Sequence, residues 1–197
     1  MKTIKDNKRR DFIKVLGLGA IATATTAIAG GRGGGQGGGR SKQVTELTEH
    51  QLDELFHIFQ EEKVARDVYI TLGRQYPEEK TFAKIQLSEQ EHMLAAQVLC
   101  ERYGIDTSDV DISLTDDAIG QFELHEMQVL YNTCIELGSV SHFEAVKVGE
   151  LVEITDIKDI EIASEGMPAD VLRTYDNLKA GSYEHLDAYR NAMARLS

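Results

Sequence analysis

Five stretches of the chain space their apolar residues three to four positions apart, the repeat of a helix with one buried face. The first opens at Thr48, followed by Gln51 three residues on, a reciprocal capping pair, and runs to about Arg74, short of Pro77. A second fits roughly Glu79 to Tyr103, with Gly104 as its terminator. Residues 105–121, rich in Asp, Ser and Thr, read as a loop. A shorter helix is expected from about Phe122 to Leu137, ended by Gly138. Ser141 and Glu144 then cap a helix reaching about Ala163; Gly166 breaks it, and Pro168 suits the first turn of a last helix to Arg195. Nothing alternates as a strand does. The expected fold is all-α, a four-helix bundle with one long crossover that contains the short extra helix.

Polar residues interrupt the buried stripes. In the first helix Leu55, Phe59, Glu62, Arg66 and Tyr69 share a face, and in the second Ile85, Glu89, His92, Ala96 and Leu99 do. Val146, Gly149, Glu153, Asp156, Ile157 and Ile160 line the next long helix, and Leu178, Ser182, His185, Tyr189 and Leu196 the last. Each taken alone has an ordinary explanation. Glu89 and His92 could be a surface pair, and Glu62 with Arg66 a salt bridge. Four helices in agreement argue for convergence. Buried together without partners, these acids would cost several kcal/mol each, and a pair of divalent cations resolves that cost. The alternative is a metal-free bundle whose polar stripe is salt-bridged.

Composition refines this reading. Two prolines in 197 residues agree with helices, and the length suits one domain with a tail. Residues 1–29 carry six basic and two acidic side chains; the remainder carries 15 basic and 31 acidic, a net charge of −16. A domain that acidic repels phosphate backbones and anionic lipid, which argues against nucleic-acid partners. No phosphate-binding loop, dinucleotide fingerprint or nucleophile elbow is present.

Lys8-Arg9-Arg10-Asp11-Phe12-Ile13-Lys14 precedes an uncharged run from Val15 to Ala29, too short to span a bilayer comfortably. It closes on Ala27-Ile28-Ala29, a small-x-small cleavage pattern. This segment resembles a twin-arginine export signal, which implies the twin-arginine machinery as a partner, a folded cargo and a periplasmic or otherwise exported product with no membrane span after cleavage. Eight glycines in residues 30–39 make 30–46 a flexible linker, leaving 47–197 as the folded domain.

Glu62-Lys63-Val64-Ala65-Arg66-Asp67-Val68-Tyr69 resembles the Glu-x-x-Ala-Arg-x-x-Tyr of rubrerythrin first helices, and Glu89-Gln90-Glu91-His92 their second-helix motif. With Ser88 and Met93 flanking that motif, Gly138-Ser139-Val140-Ser141, and Gly181-Ser182 before His185-Leu186, residues 48–192 resemble the ferritin-like domain-of-unknown-function 2202 family. The resemblance implies a di-metal carboxylate centre in which Glu62, Glu89 and His92 hold one ion and Glu153, Asp156 and His185 the other, with Glu89 or Glu153 bridging. Ser182 stands where rubrerythrins carry a Glu; Asp156 is the expected substitute, with Glu150 as its rival. Two ions are expected, iron by family, with manganese or zinc compatible with the ligands. Oxygen- or peroxide-dependent redox chemistry of ferroxidase or peroxidase type follows, or else metal binding and iron handling without catalysis. A homodimer is compatible with all of this. Glu91 and Glu184 point off the stripes, and surface or structural roles are expected for His50, His57, His125 and His142. Cys100 and Cys134, 34 residues apart and in no Cys-x-x-Cys, leave no rubredoxin-type centre, and are either a disulfide or two buried thiols.

Overall fold

The computed structural model describes residues 46–197; the expected export signal and all but the last residue of the expected linker lie outside them. The described residues form five helices and no strand: α1 Glu49–Gln75, α2 Lys80–Arg102, α3 His125–Gly138, α4 His142–Ala163 and α5 Ala169–Leu196. Thr48 caps α1 reciprocally with Gln51. The Ser141 hydroxyl accepts the Glu144 amide at the start of α4, and Glu79 does the same for Thr81 at α2. Gly104 and Gly166 follow helix ends at φ 77° and 72°, backbone that favours glycine. No helix among the described residues is long and apolar enough to cross a membrane.

Three boundaries differ from the sequence expectation. Helix α3 begins at His125 rather than Phe122, because the Phe122 and Leu124 amides donate to the side chains of Gln128 and Gln60. Pro168 precedes the first turn of α5, and its carbonyl accepts the Leu172 amide. Gly138 does not stop α3 but ends it as a helical residue; a Cβ there would lie 2.7 Å from Leu72, so it permits close approach to α1.

Helix α1 packs along α2 and α4 along α5, while α1 also meets α4 and α2 meets α5; α3 covers α1 and α4. Two apolar clusters fill the interior. One holds Val68, Tyr69, Phe82, Val146 and Tyr189; the other Leu55, Phe59, Met93, Ile160 and Leu178. Along α1 and α5 the chain runs from the second cluster to the first, and along α2 and α4 from the first to the second. The partners in each pair are therefore antiparallel. Such an order leaves α2 and α4 pointing the same way, which requires the long connection 103–141.

That connection is held to α1 by buried charge. The Lys63 ammonium donates to Asp67 (2.7 Å) and to the Ala118 and Gln121 carbonyls (both 3.0 Å), and the Gly120 amide donates to Asp67 (2.9 Å). Arg66 donates to Asp67, to Gln90 and to the Ile112 carbonyl at 2.7–2.8 Å. All three α1 side chains are fully buried, so each hydrogen bond carries the weight of a desolvated charge. Cys100 and Cys134 are free thiols, each buried in a different apolar cluster, so the disulfide alternative is not formed.

Candidate metal centre

A polar layer separates the two apolar clusters. It takes Glu62 from α1, Glu89 and His92 from α2, Glu153 and Asp156 from α4, and Ser182 and His185 from α5, the helical repeat bringing residues three apart onto one face. Glu62, Glu89 and Glu153 are each 1% exposed. Arg66, committed to Asp67, Gln90 and Ile112, makes no salt bridge with Glu62.

Glu89 lies at the middle. Its Oε2 is 2.9 Å from His92 Nδ1 and its Oε1 is 2.8 Å from His185 Nδ1. Glu62 Oε2 stands 3.5 Å from the same His92 nitrogen, and Glu153 Oε2 3.6 Å from that of His185. The arrangement thus has two halves, each with one imidazole, one carboxylate of its own and one oxygen of Glu89. Although the Glu89 contacts are short, His92 Nδ1, His185 Nδ1 and Glu89 Oε1 lack a hydrogen-bond partner in an acceptable direction. Both oxygens of Glu62 and Oδ1 of Asp156 are likewise buried and unbonded. Donor atoms that crowd together without pointing at one another suit co-ligands of a cation better than donors and acceptors. Nitrogen and carboxylate oxygen, with no thiolate, fit iron or manganese and admit zinc.

Asp156 departs from the expected grouping. It accepts from the Ser182 hydroxyl (2.6 Å), and its charged neighbours are Glu62, Glu89 and His92. One turn of α4 past Glu153 carries it toward the second apolar cluster, away from His185. It therefore belongs beside the Glu62 half. Glu150 instead meets Arg190 at 3.0 Å.

Two further features go beyond what the sequence predicts. The Tyr69 hydroxyl donates to Glu153 Oε1 at 2.6 Å, which leaves Oε2 toward His185. Tyr69 also packs on Phe82 and Tyr189 with ring centroids 5.2–6.2 Å apart, sealing that side. Its place on the buried stripe two turns after Glu62, at the end of the Glu-x-x-Ala-Arg-x-x-Tyr pattern, is the hint of this role in the sequence. His57, expected at the surface or in a structural role, is 5% exposed, beside Glu61 and Asp159.

Electrostatics follow from burial. It pushes the Glu62 carboxyl up to about 7 against the pull of His92, and, with the charge of Glu89, Glu153 to about 8. Burial also holds Asp156 well above the usual carboxylate range. At Glu89 burial is outweighed by His185 and His92, and the carboxyl falls to about 2. For the imidazoles burial is outweighed in turn by the facing carboxylates, to about 11 at His92 and about 10 at His185. A metal ion bound here would compete with protons for the same atoms.

Gly181 gives a separable test. A Cβ there would lie 2.5 Å from His92 Nε2 and 2.6 Å from Cε1, so α5 meets the imidazole edge with bare backbone. Gly181→Ala is expected to displace the ring, which can rotate, and to weaken metal binding roughly 10- to 100-fold, as disturbed ligand support does. The same change adds helix propensity of up to about 1 kcal/mol, which offsets only part of the disturbed His92–Glu89 contact, so the metal-free protein should stay folded with a modestly lower melting temperature. Melting curves with chelator, beside metal titrations, check both; unchanged affinity would mean that the ring is not a ligand.

The described residues thus form an all-helical domain with a buried layer of carboxylates and imidazoles that could hold metal ions. Residues 51–195 match the family described as "Uncharacterized protein domain (DUF2202)", and the chain belongs to that family. It is similar to "Uncharacterized protein MJ0754" of Methanocaldococcus jannaschii, 35% identical over 144 residues, which are 73% of this chain and 75% of the relative. It also superposes on the crystal structure of that hypothetical protein with a TM-score of 0.71 and 32% identity, covering 80% of this chain and 87% of the other.

Proposed function

We infer that the chain is a ferritin-like protein whose α1, α2, α4 and α5 form a four-helix bundle, with α3 in the crossover, holding two divalent metal ions, iron by its ligand set and family resemblance, for redox chemistry with oxygen or peroxide. The observation that carries this reading is Glu89, which offers one oxygen to each of two buried imidazole–carboxylate groups. Glu62 and His92 complete one half, Glu153 and His185 the other, and Asp156 adds a carboxylate beside the first. Bound iron would supply one-electron steps that none of these side chains performs. Tyr69 and Ser182 fix the carboxylates of Glu153 and Asp156 through one oxygen each. The aromatic packing of Tyr69, Phe82 and Tyr189 keeps bulk water from that end. The enclosure suits a small oxidant and argues against a bulky organic substrate.

The exported location rests on residues 1–29 alone, as a proposal. Protein purified without chelator should carry about two ions per chain. Supplied with Fe(II) and oxygen or peroxide, it should consume many equivalents; uptake that stops after a few ions favours iron handling without catalysis. Protein that retains no ion after exposure to Fe(II), Mn(II) and Zn(II) would overturn the reading.

A further inference from the structure

A second cluster lies around α1 from Glu62, between α1 and α4. His57 and Glu61, four residues apart, share a helical face, and Glu61 sits about 100° around the axis from Glu62. Asp159 of α4 closes the group, one atom from each residue lying within 4.8 Å of the others. His57 and Glu61 are 5% and 6% exposed. Unlike the layer between the apolar clusters, this group joins α1 to α4 near the start of α3, where Glu126 Oε1 stands 3.9 Å from His57 Nδ1.

We propose that His57, Glu61 and Asp159 form a separate site for one first-row divalent cation. His57 Nε2 and Glu61 Oε2 are 3.8 Å apart, too far for a charge-assisted hydrogen bond between those two atoms. Two ligands each about 2.1 Å from one metal ion stand about 3–4.2 Å apart, and 3.8 Å falls inside that range. No separation among the three exceeds 4.8 Å, a spread that a small rotation of a carboxylate closes. Two acids and a neutral imidazole balance the charge of a divalent ion. One nitrogen and two oxygens admit Zn(II), Mn(II) or Fe(II). The ion would fasten α1 to α4 beside the first turn of α3. None of its ligands belongs to the Glu89 layer, so this proposal does not depend on the two-ion reading.

The test is equilibrium dialysis of the full chain against Zn(II) at a few tens of micromolar, with bound ions counted per chain. Glu89→Ala serves as a background in which the other layer is disabled. That variant should still bind one ion, and adding either His57→Ala or Asp159→Ala should abolish it. In the parent, each of those two substitutions should lower the count by one, from three to two if the Glu89 layer holds a pair, or from one to none if it holds nothing. Asp159 is half-buried, so Asp159→Ala decides the matter if His57→Ala fails to fold by circular dichroism. An unchanged count in folded Asp159→Ala overturns the proposal, as does a parent that binds no zinc.

Discussion

Glu89→Ala should empty both halves of the centre at once, whereas Glu62→Ala should weaken one. Only Glu89 touches both imidazoles, at 2.9 and 2.8 Å. Its removal takes one ligand from each ion, and the expected loss in affinity is about 100-fold or more for both, roughly 2.7 kcal/mol apiece. The metal-free protein should suffer as well. The folded carboxyl of Glu89 is held down at about 2, so its contribution to stability is present above about 4.5 and disappears as pH falls through 2. At pH 7 the variant loses that contribution and leaves His92 and His185 without their shared counter-charge. Breaking a buried pair typically costs about 3–5 kcal/mol, which in a domain of this size lowers the melting temperature by roughly 10 °C. Elemental analysis and melting curves in chelator measure the two effects independently. Retention of one ion at full affinity would remove Glu89 from the bridging position.

Metal binding should also reverse the pH dependence of stability. Glu62 and Glu153 have folded values raised to about 7 and 8, so the stability they confer is complete below about 4.5 and is lost as pH rises through 7 to 8. His92 and His185, raised to about 11 and 10, keep their protons throughout that window and give theirs up only above it. Metal-free protein should therefore melt at a lower temperature at pH 8 than at pH 5.5. A bound ion needs neutral imidazole and ionised carboxylate, so each binding event expels at least one proton. Affinity should rise at least tenfold per pH unit between 6 and 8 for each ion, and the stabilisation by Zn(II) or Mn(II) should be largest at the alkaline end. Calorimetric titrations at three pH values decide this. A flat affinity would show that the ions do not bind at the imidazoles.

Local signals read well from the sequence because capping is local. Thr48 with Gln51, Ser141 with Glu144, and the glycines at 104 and 166 sit at helix ends as expected. The start of α3 falls later than expected because its preceding amides are taken by Gln60 and Gln128, the first of them distant in sequence. Glu62, Glu89, His92, Glu153, Asp156 and His185 meet in one layer of the structure as the stripes imply, since residues three and four apart must share a face. Periodicity does not convey how thoroughly α1 is enclosed. Every residue from His57 to Ile70 is buried, including Lys63, Arg66 and Asp67. Of these, Lys63 and Asp67 look like a solvated face in the sequence, because nothing local announces that the crossover segment folds over them. For the same reason the sequence conceals His57, whose neighbour Asp159 is about a hundred residues away. Asp156 lies in the other half from the one expected because a single turn of helix separates the two alternatives.

The separation of the two cysteines has a consequence for the chemical durability of the molecule. Burial pushes both thiols up to about 12, so neither carries an appreciable thiolate fraction near neutral pH. Each is walled in by a different apolar cluster and cannot reach the other. With no other cysteine in the chain, folding requires no oxidant and no isomerase, and the native protein offers oxidants and alkylating reagents no reactive sulfhydryl. Its two thiols are equally inert in a reducing compartment and in an oxidising one.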